Sequence, residues 1–167
     1  LIIEDEILIA RELEDRLNEL GYQVVGIAGI GGEAIEIASQ TKPDLILSDI
    51  MLKGSMDGIE ASHQIQKICN IPVIYLTAYA DDATLGRAKV TQPFGYLLKP
   101  FEERELKITI EIALYKHRME QILKKREQQL IKQEKLATIG TLLASVAHEI
   151  NNPMTTILGF LELELSQ

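Results

Sequence analysis

From Phe101 to Ile139 the sequence contains neither proline nor glycine, and along this stretch a seven-residue ladder runs Ile108, Tyr115, Ile122, Gln129, Leu136, Leu143 and Ile150. Six of those seven rungs are apolar. The companion rungs four residues on, Ile112, Met119, Arg126, Gln133, Gly140 and Ala147, are apolar first, polar in the middle and small at the end. A sustained period of seven predicts a helix that pairs along a seam, not one lying on its own domain. The pattern predicts a helix from about Phe101 to about Asn152. About fifty residues rising about 1.5 Å each would reach roughly 75 Å, more than a domain of this size spans. A second copy of the chain is the expected partner, so the chain reads as a homodimer through a coiled coil or the start of a four-helix bundle. Arg126, Gln129 and Gln133 at seam positions weaken the pairing midway. Residues 102–135 read as a connector rich in Glu, Lys, Gln, Leu and Ile.

The first hundred residues follow another rhythm. Apolar runs at 1–3, 22–28, 44–48, 72–76 and 94–98 read as strands, and amphipathic stretches at 7–20, 33–39, 58–69 and 82–89 read as helices. Strands alternating with helices through short connections imply an α/β fold, a doubly wound five-stranded parallel sheet covered on both faces. In such sheets functional residues gather at the carboxyl ends of the strands. Glu4 and Asp5 follow the first strand, Asp49 the third, Thr77 the fourth and Lys99 the fifth. Taken singly, each has an ordinary structural explanation: helix cap, acidic first turn, strand-end hydroxyl, solvated charge. Their coincidence on one edge points to chemistry. Crowded carboxylates repel and their pKa values rise. A hard divalent ion such as Mg²⁺, which prefers oxygen ligands, relieves that. A lysine and a hydroxyl beside such an ion suit an incoming phosphoryl group.

Charge narrows the partners. The chain of 167 residues carries a net −8. Residues 1–101 hold 8 Lys/Arg against 15 Asp/Glu, a net of −7; residues 102–135 hold 9 against 7, a net of +2; residues 136–167 hold 0 against 3, a net of −3. An acidic first domain argues against nucleic acid as a direct partner. The single Cys69 excludes an intramolecular disulfide and fits a reducing cytoplasm. No apolar run is long enough for a membrane span. Both ends read as cut: Leu1 enters in mid-strand, and Gln167 falls inside a helical pattern.

Leu1-Ile-Ile-Glu-Asp-Glu6, Asp44-Leu-Ile-Leu-Ser-Asp-Ile-Met-Leu52, Met56-Asp-Gly-Ile-Glu60, Tyr75-Leu-Thr-Ala78 and Gly95-Tyr-Leu-Leu-Lys-Pro-Phe101 resemble the receiver domain of two-component response regulators, with its flavodoxin-like fold. The resemblance covers about residues 1–116. It implies that Asp49 is phosphorylated and that Asp5, Asp49 and the backbone carbonyl of Met51 bind Mg²⁺, with Glu4 acting through water. It also implies that Thr77 and Lys99 hold the phosphoryl oxygens, that Tyr96 is the aromatic switch following Thr77, and that the Lys99-Pro100 bond is cis. Phosphorylation would draw Thr77 in and let Tyr96 move inward, altering the face from which the long helix leaves. One departure stands out. Many receivers have proline four residues after the phosphorylated aspartate. Here that residue is Lys53, in a loop with Gly54 and Ser55 that is one residue longer.

Farther on, Ala147-His-Glu-Ile-Asn-Asn-Pro153, preceded by Leu136-Ala-Thr-Ile-Gly140, resembles the phosphoacceptor box of the dimerisation domain of sensor histidine kinases, over about residues 134–165. Met154 stands where leucine is commoner. The resemblance implies phosphorylation of His148 on a ring nitrogen. Glu149 would orient His148 or accept its proton, and Asn152 would position a water in dephosphorylation. Pro153 is expected to distort the helix one turn beyond His148. His63 and His117 read as surface residues. No nucleotide-binding motif is present, so ATP would act through a domain outside this chain.

Three functions remain open. The chain is part of a hybrid histidine kinase, with a receiver at 1–116, a connector at 102–135 and the first part of a phosphoacceptor domain at 136–167. Or it is a stand-alone dimeric response regulator. Or it is a phosphorelay intermediate without kinase activity. Its partners would be an ATP-binding kinase domain and an upstream phosphodonor histidine protein or a downstream receiver.

Overall fold

A computed structural model describes the backbone of residues 1–78, 86–89 and 91–165, and the side chains of these residues up to 139 and at 142, 143 and 146. The chain divides into two units, Leu1–Met119 and Glu120–Gln167. The first unit holds β1 (Ile2–Ile3), α1 (Ile7–Glu19), β2 (Ile27–Ala28), α2 (Gly31–Thr41), β3 (Ile46–Asp49), α3 (Gly58–Ile68), β4 (Val73–Thr77), β5 (Gly95–Leu98) and the start of α4 (Glu103–Leu165). The sheet is parallel throughout, in the order β2-β1-β3-β4-β5. This is the doubly wound, flavodoxin-like architecture that the alternation predicts. The order of connection reverses between β1 and β3, and there the crevice at the carboxyl edge opens.

Strand residues alternate between two cores, as the period of two requires. Ile3, Ile46, Val73 and Tyr75 pack with Ala34, Ala38, Ile59 and Ile65 of α2 and α3. Ile2, Leu47, Ile74 and Leu76 pack with Ala10, Leu13 and Leu17 of α1 and with Leu106, Ile110 and Ala113 of α4. Both faces are therefore sealed, which is why the strands read as continuous apolar runs and not as alternating ones.

Several boundaries differ from the sequence pattern. The second strand is two residues, not seven. Beside β1, only the main chain of Gly26 to Ala28 joins the ladder, through Ile2 N donating to Gly26 O (3.1 Å) and Glu4 N donating to Ala28 O (2.9 Å). The apolar side chains of 22–25 indicate extended chain but supply no second partner at this sheet edge. α2 is longer at both ends than 33–39 and stops at Lys42, which adopts a left-handed φ of 46°. α1 ends where Gly21 (φ +85°) turns its N–H back to Asn18 O, the left-handed termination that glycine tolerates best. Of the helix expected at 82–89, residues 86–89 are helical and the remainder lies outside the described residues.

The long helix starts at Glu103 and ends at Leu165, later at both ends than the ladder suggests. Its first turns have two faces. Leu106, Ile110 and Ala113 are fully buried, whereas Ile108, Ile112 and Tyr115 are exposed. In the second unit the helix runs on through Pro153 without termination. One proline removes a single i to i−4 bond, and the neighbouring bonds carry the helix past it. Leu130, Ile131, Leu136, Ile139, Leu142, Leu143 and Val146 are all exposed.

At the start of α3, Asp57 caps the helix by accepting from Glu60 N at 2.9 Å. The next residue, Gly58, donates its N–H to Ile50 O. A Cβ built there would lie 1.7 Å from Asp49 O and 2.7 Å from Ser48 Oγ. Gly32, in α2, has nothing within 4 Å of such a Cβ. Gly58→Ala is therefore expected to destabilise the fold by about 1–3 kcal/mol. Gly32→Ala should be neutral or stabilising by up to about 1 kcal/mol. Urea unfolding midpoints of the two variants check both.

Candidate functional site

Register assembles the site. β1 pairs with β3 so that Ile3 lies opposite Ser48, which brings the following residues, Glu4 and Asp49, side by side. β3 pairs with β4 so that Asp49 lies opposite Leu76, and Thr77 follows. β4 pairs with β5 so that Thr77 lies opposite Leu98, and Lys99 follows. Asp49 and Thr77 are thus the last residues of their strands, one position earlier than the pattern suggests. A one-residue slip at any of the three pairings would turn the wrong side chains toward the site.

The Lys99 side chain closes the arrangement. Its Nζ donates to Glu4 Oε2 at 2.5 Å and to Asp49 Oδ2 at 2.5 Å. All three side chains are largely removed from water, Glu4 almost completely. The Lys99 backbone N–H donates to Thr77 O at 2.8 Å, and Lys99-Pro100 is cis, as the resemblance implies. The other oxygen of Asp49, Oδ1, accepts from Met51 N at 2.9 Å. Glu4 Oε1 accepts from Glu6 N at 3.3 Å. Asp5 stands next to this cluster and binds a second ammonium, Lys53 Nζ, at 2.9 Å from Oδ2.

Electrostatics follow from this packing. Burial pushes the Glu4 carboxyl above the usual carboxylate range, and the charge of Asp49 adds to that; the hydrogen bond from Lys99 pulls the other way without cancelling it. Burial works against the Lys99 ammonium, but its bonds to Asp49 and Glu4 outweigh burial and hold its pKa above that of an ordinary lysine. Lys53, fully in solvent, is raised by its bond to Asp5.

Oxygen donors of this kind suit a hard divalent cation. Yet among the described residues no three acidic, histidine or cysteine side chains stand close enough to share one ion. The carboxylates are neutralised by lysines: Glu4 and Asp49 by Lys99, Asp5 by Lys53. The donor chemistry fits Mg²⁺, and the positive charge such an ion would bring is supplied here by ammonium groups. Glu4 touches Lys99 directly, a contact that its expected role through water does not foresee.

Thr77 is buried at the end of β4. Tyr96 is half-buried in β5; its ring centroid lies 6.0 Å from that of Tyr75, and its hydroxyl is buried without a hydrogen-bond partner among the described residues. Tyr75 is itself tied down, its hydroxyl sharing a 2.9 Å hydrogen bond with Thr91 Oγ1. Asp57, besides capping α3, pairs with Arg87. His148, Glu149 and Asn152 lie on the helical backbone of the second unit, and their side chains are outside the described residues. His117 is half-buried, edge-on against Phe94 at 5.4 Å, and His63 is also half-buried, so neither is the plain surface residue that the sequence suggests. The residue that the sequence undervalued is Lys53. Its signal was a basic side chain four residues after Asp49, directly before a glycine.

Removing the Lys99 ammonium leaves Glu4 and Asp49 facing each other with no positive charge between them. Lys99→Met is expected to lose about 1–3 kcal/mol at pH 8. Glu4, already raised, rises further in that variant. A carboxyl whose folded pKa lies above its unfolded value stabilises the fold at low pH and loses that contribution as pH climbs through the folded pKa. The deficit against wild type should therefore shrink toward pH 5. Lys99 itself stays charged across this window in wild type. Urea titrations of both proteins in chelator at pH 5 and pH 8 measure the difference.

Residues 1–111 match the response regulator receiver domain, and residues 138–167 match the His Kinase A phospho-acceptor domain. Transcriptional regulatory protein PdtaR of Mycobacterium tuberculosis is 40% identical over 118 residues, 71% of this chain and 57% of PdtaR. Phyllosphere-induced regulator PhyR of Methylorubrum extorquens is 40% identical over 116 residues, 69% of this chain and 43% of PhyR. The chain thus spans about half the length of the curated relatives it matches. The crystal structure of the signal receiver domain of a modulated diguanylate cyclase from Desulfovibrio desulfuricans G20 superposes with a TM-score of 0.69 at 42% identity, over 71% of this chain and 94% of that domain. Among the described residues no helix is long and apolar enough to cross a membrane. With its sheet order, its strand-end acids and its lysine on β5, the chain belongs to the response regulator receiver family of two-component signalling, with a histidine kinase phosphoacceptor match following the receiver.

Proposed function

We propose that Asp49 accepts a phosphoryl group and that its state regulates, or exchanges phosphate with, His148 within a hybrid histidine kinase of the cytoplasm. The observation that carries this reading is the Lys99 ammonium bound at once to Glu4 and Asp49. It fixes the acceptor carboxylate and sets a positive charge where phosphoryl oxygens would arrive. The Asp49 carboxylate attacks the phosphorus of a donor phosphohistidine. A P–O bond forms and the P–N bond breaks. The electron pair leaves on the imidazole nitrogen, which takes up a proton. Asp5, Asp49 and the backbone carbonyl of Met51 would hold Mg²⁺, with Glu4 beside them. The ion supplies charge neutralisation for the transferring group.

The phosphoryl group adds negative charge and acceptor oxygens at the end of β3. Lys99 turns part of its hydrogen bonding to them, and Thr77 supplies a hydroxyl. Tyr96 then moves inward, where its hydroxyl finds the partner it otherwise lacks. The receiver spans 1–116, the connector 102–135, and the phosphoacceptor region 136–167. Phosphorylation of His148 draws on ATP in a separate domain; Glu149 orients the imidazole and Asn152 positions water for the reverse hydrolysis. The exposed ladder from Ile108 to Leu143 supports a homodimer through α4.

A second reading is a dimeric regulator in which the histidine region carries no phosphate. The names of the matched relatives, both regulators, favour it; the match at 138–167 favours the first.

Acetyl phosphate with Mg²⁺ should label the wild-type chain once, at a site labile in both acid and base, and Asp49→Asn should take no label. Adding the ATP-binding domain of a histidine kinase and ATP should place an acid-labile, base-stable label on His148, absent in His148→Gln. Persistent lack of that second label would leave the regulator reading. In sedimentation, Leu136→Lys combined with Leu143→Lys should shift the dimer toward monomer.

A further inference from the structure

Three carboxylates at the site face two ammonium groups, and the second of these comes from the loop that joins β3 to α3. Lys53 Nζ lies 2.9 Å from Asp5 Oδ2. The Asp5 side chain is only 11% exposed, whereas that of Lys53 is 80% exposed, so a solvent-borne cation reaches down onto a sheltered anion. The loop is built for this return. Met51 N is tied to Asp49 Oδ1 and Asp57 is fixed as the cap of α3. Between them Gly54 takes φ +125°, a conformation that side-chain-bearing residues rarely adopt. Glu6 and Glu4 add to the attraction felt by Lys53.

We infer that Lys53 is a tethered competitor for the cation at this site, holding Asp5 until Mg²⁺ displaces it. The inference rests on the reading of Asp5 and Asp49 as Mg²⁺ ligands. Asp5 Oδ2 cannot serve an ammonium and a metal together, and two like charges at that distance repel. The consequence is a lower Mg²⁺ affinity than the carboxylates alone would give. An exposed ion pair contributes little, so the effect is modest, and it weakens as salt screens the pair. Once a phosphoryl group is present, the freed ammonium stands beside a more negative site, so the same residue that opposes the metal beforehand favours the phosphorylated state.

Calorimetric titration of MgCl₂ into the full chain tests this without any phosphodonor. Lys53→Met, which keeps the aliphatic length and drops the charge, is expected to bind Mg²⁺ about three- to tenfold more tightly than wild type in low salt. The gap should narrow in high salt, and Lys53→Arg should behave as wild type. Equal affinity in wild type and Lys53→Met, or weaker binding in the variant, would overturn the inference while leaving the metal site standing. No Mg²⁺ binding in either protein, nor in Lys53→Met at high concentration, would overturn the metal reading and this inference with it.

Discussion

The Lys99 ammonium shared between Glu4 and Asp49 is the interaction on which the functional edge depends. Two carboxylates drawn from different strands would otherwise have to be buried side by side, with like charges and little water. A single lysine, arriving from a third strand, turns that repulsion into a bidentate anchor. The same contact ties together β1, β3 and β5, which are far apart in sequence. Structure and chemistry share one bond: what makes the edge stable is also what holds the acceptor oxygen in position.

That bond can form only because the sheet has the register it has. Each of the three pairings places its functional residue one step past a paired position, so the cluster follows from apolar residues that never touch it. Ile2, Ile3, Leu47 and Ile74 choose the faces, and the faces choose which side chains look out at the carboxyl edge. Gly58 works in the same way from below, letting α3 lie against the backbone of Asp49 where any side chain would intrude.

Much of this was legible in the sequence, for identifiable reasons. Buried parallel strands announce themselves as unbroken apolar runs, so Val73-Ile-Tyr-Leu and Leu45-Ile-Leu needed no tertiary information. The strand-end residues Glu4, Asp5, Asp49, Thr77 and Lys99 were readable because topology alone sends them to one edge. Other features were not readable. The shortness of β2 depends on how much of an edge segment finds a partner, and Tyr22 to Val25 have the composition of strand without its bonds. The Glu4–Lys99 contact depends on side-chain reach. Lys53 was visible as a departure from the common loop, but its return to Asp5 depends on a backbone angle at Gly54 that the sequence permits without dictating. The two-faced character of α4 was half legible: the seven-residue ladder marks the exposed stripe, while Leu106, Ile110 and Ala113 reveal their burial only once the sheet is in place.

That last feature has a consequence for where this receiver can be cut. A polypeptide ending at Lys99 would keep every member of the carboxylate–lysine cluster, yet it would leave Leu47, Ile74, Leu76 and Leu97 without one of their two covering helices. The smallest autonomous piece must therefore extend through Ala113 and Leu114, into sequence that already carries the outward stripe. Gene fusions and recombination events that attach new outputs to such a receiver are thereby confined to joints beyond that point. Every descendant inherits the opening turns of the rod as part of its own interior.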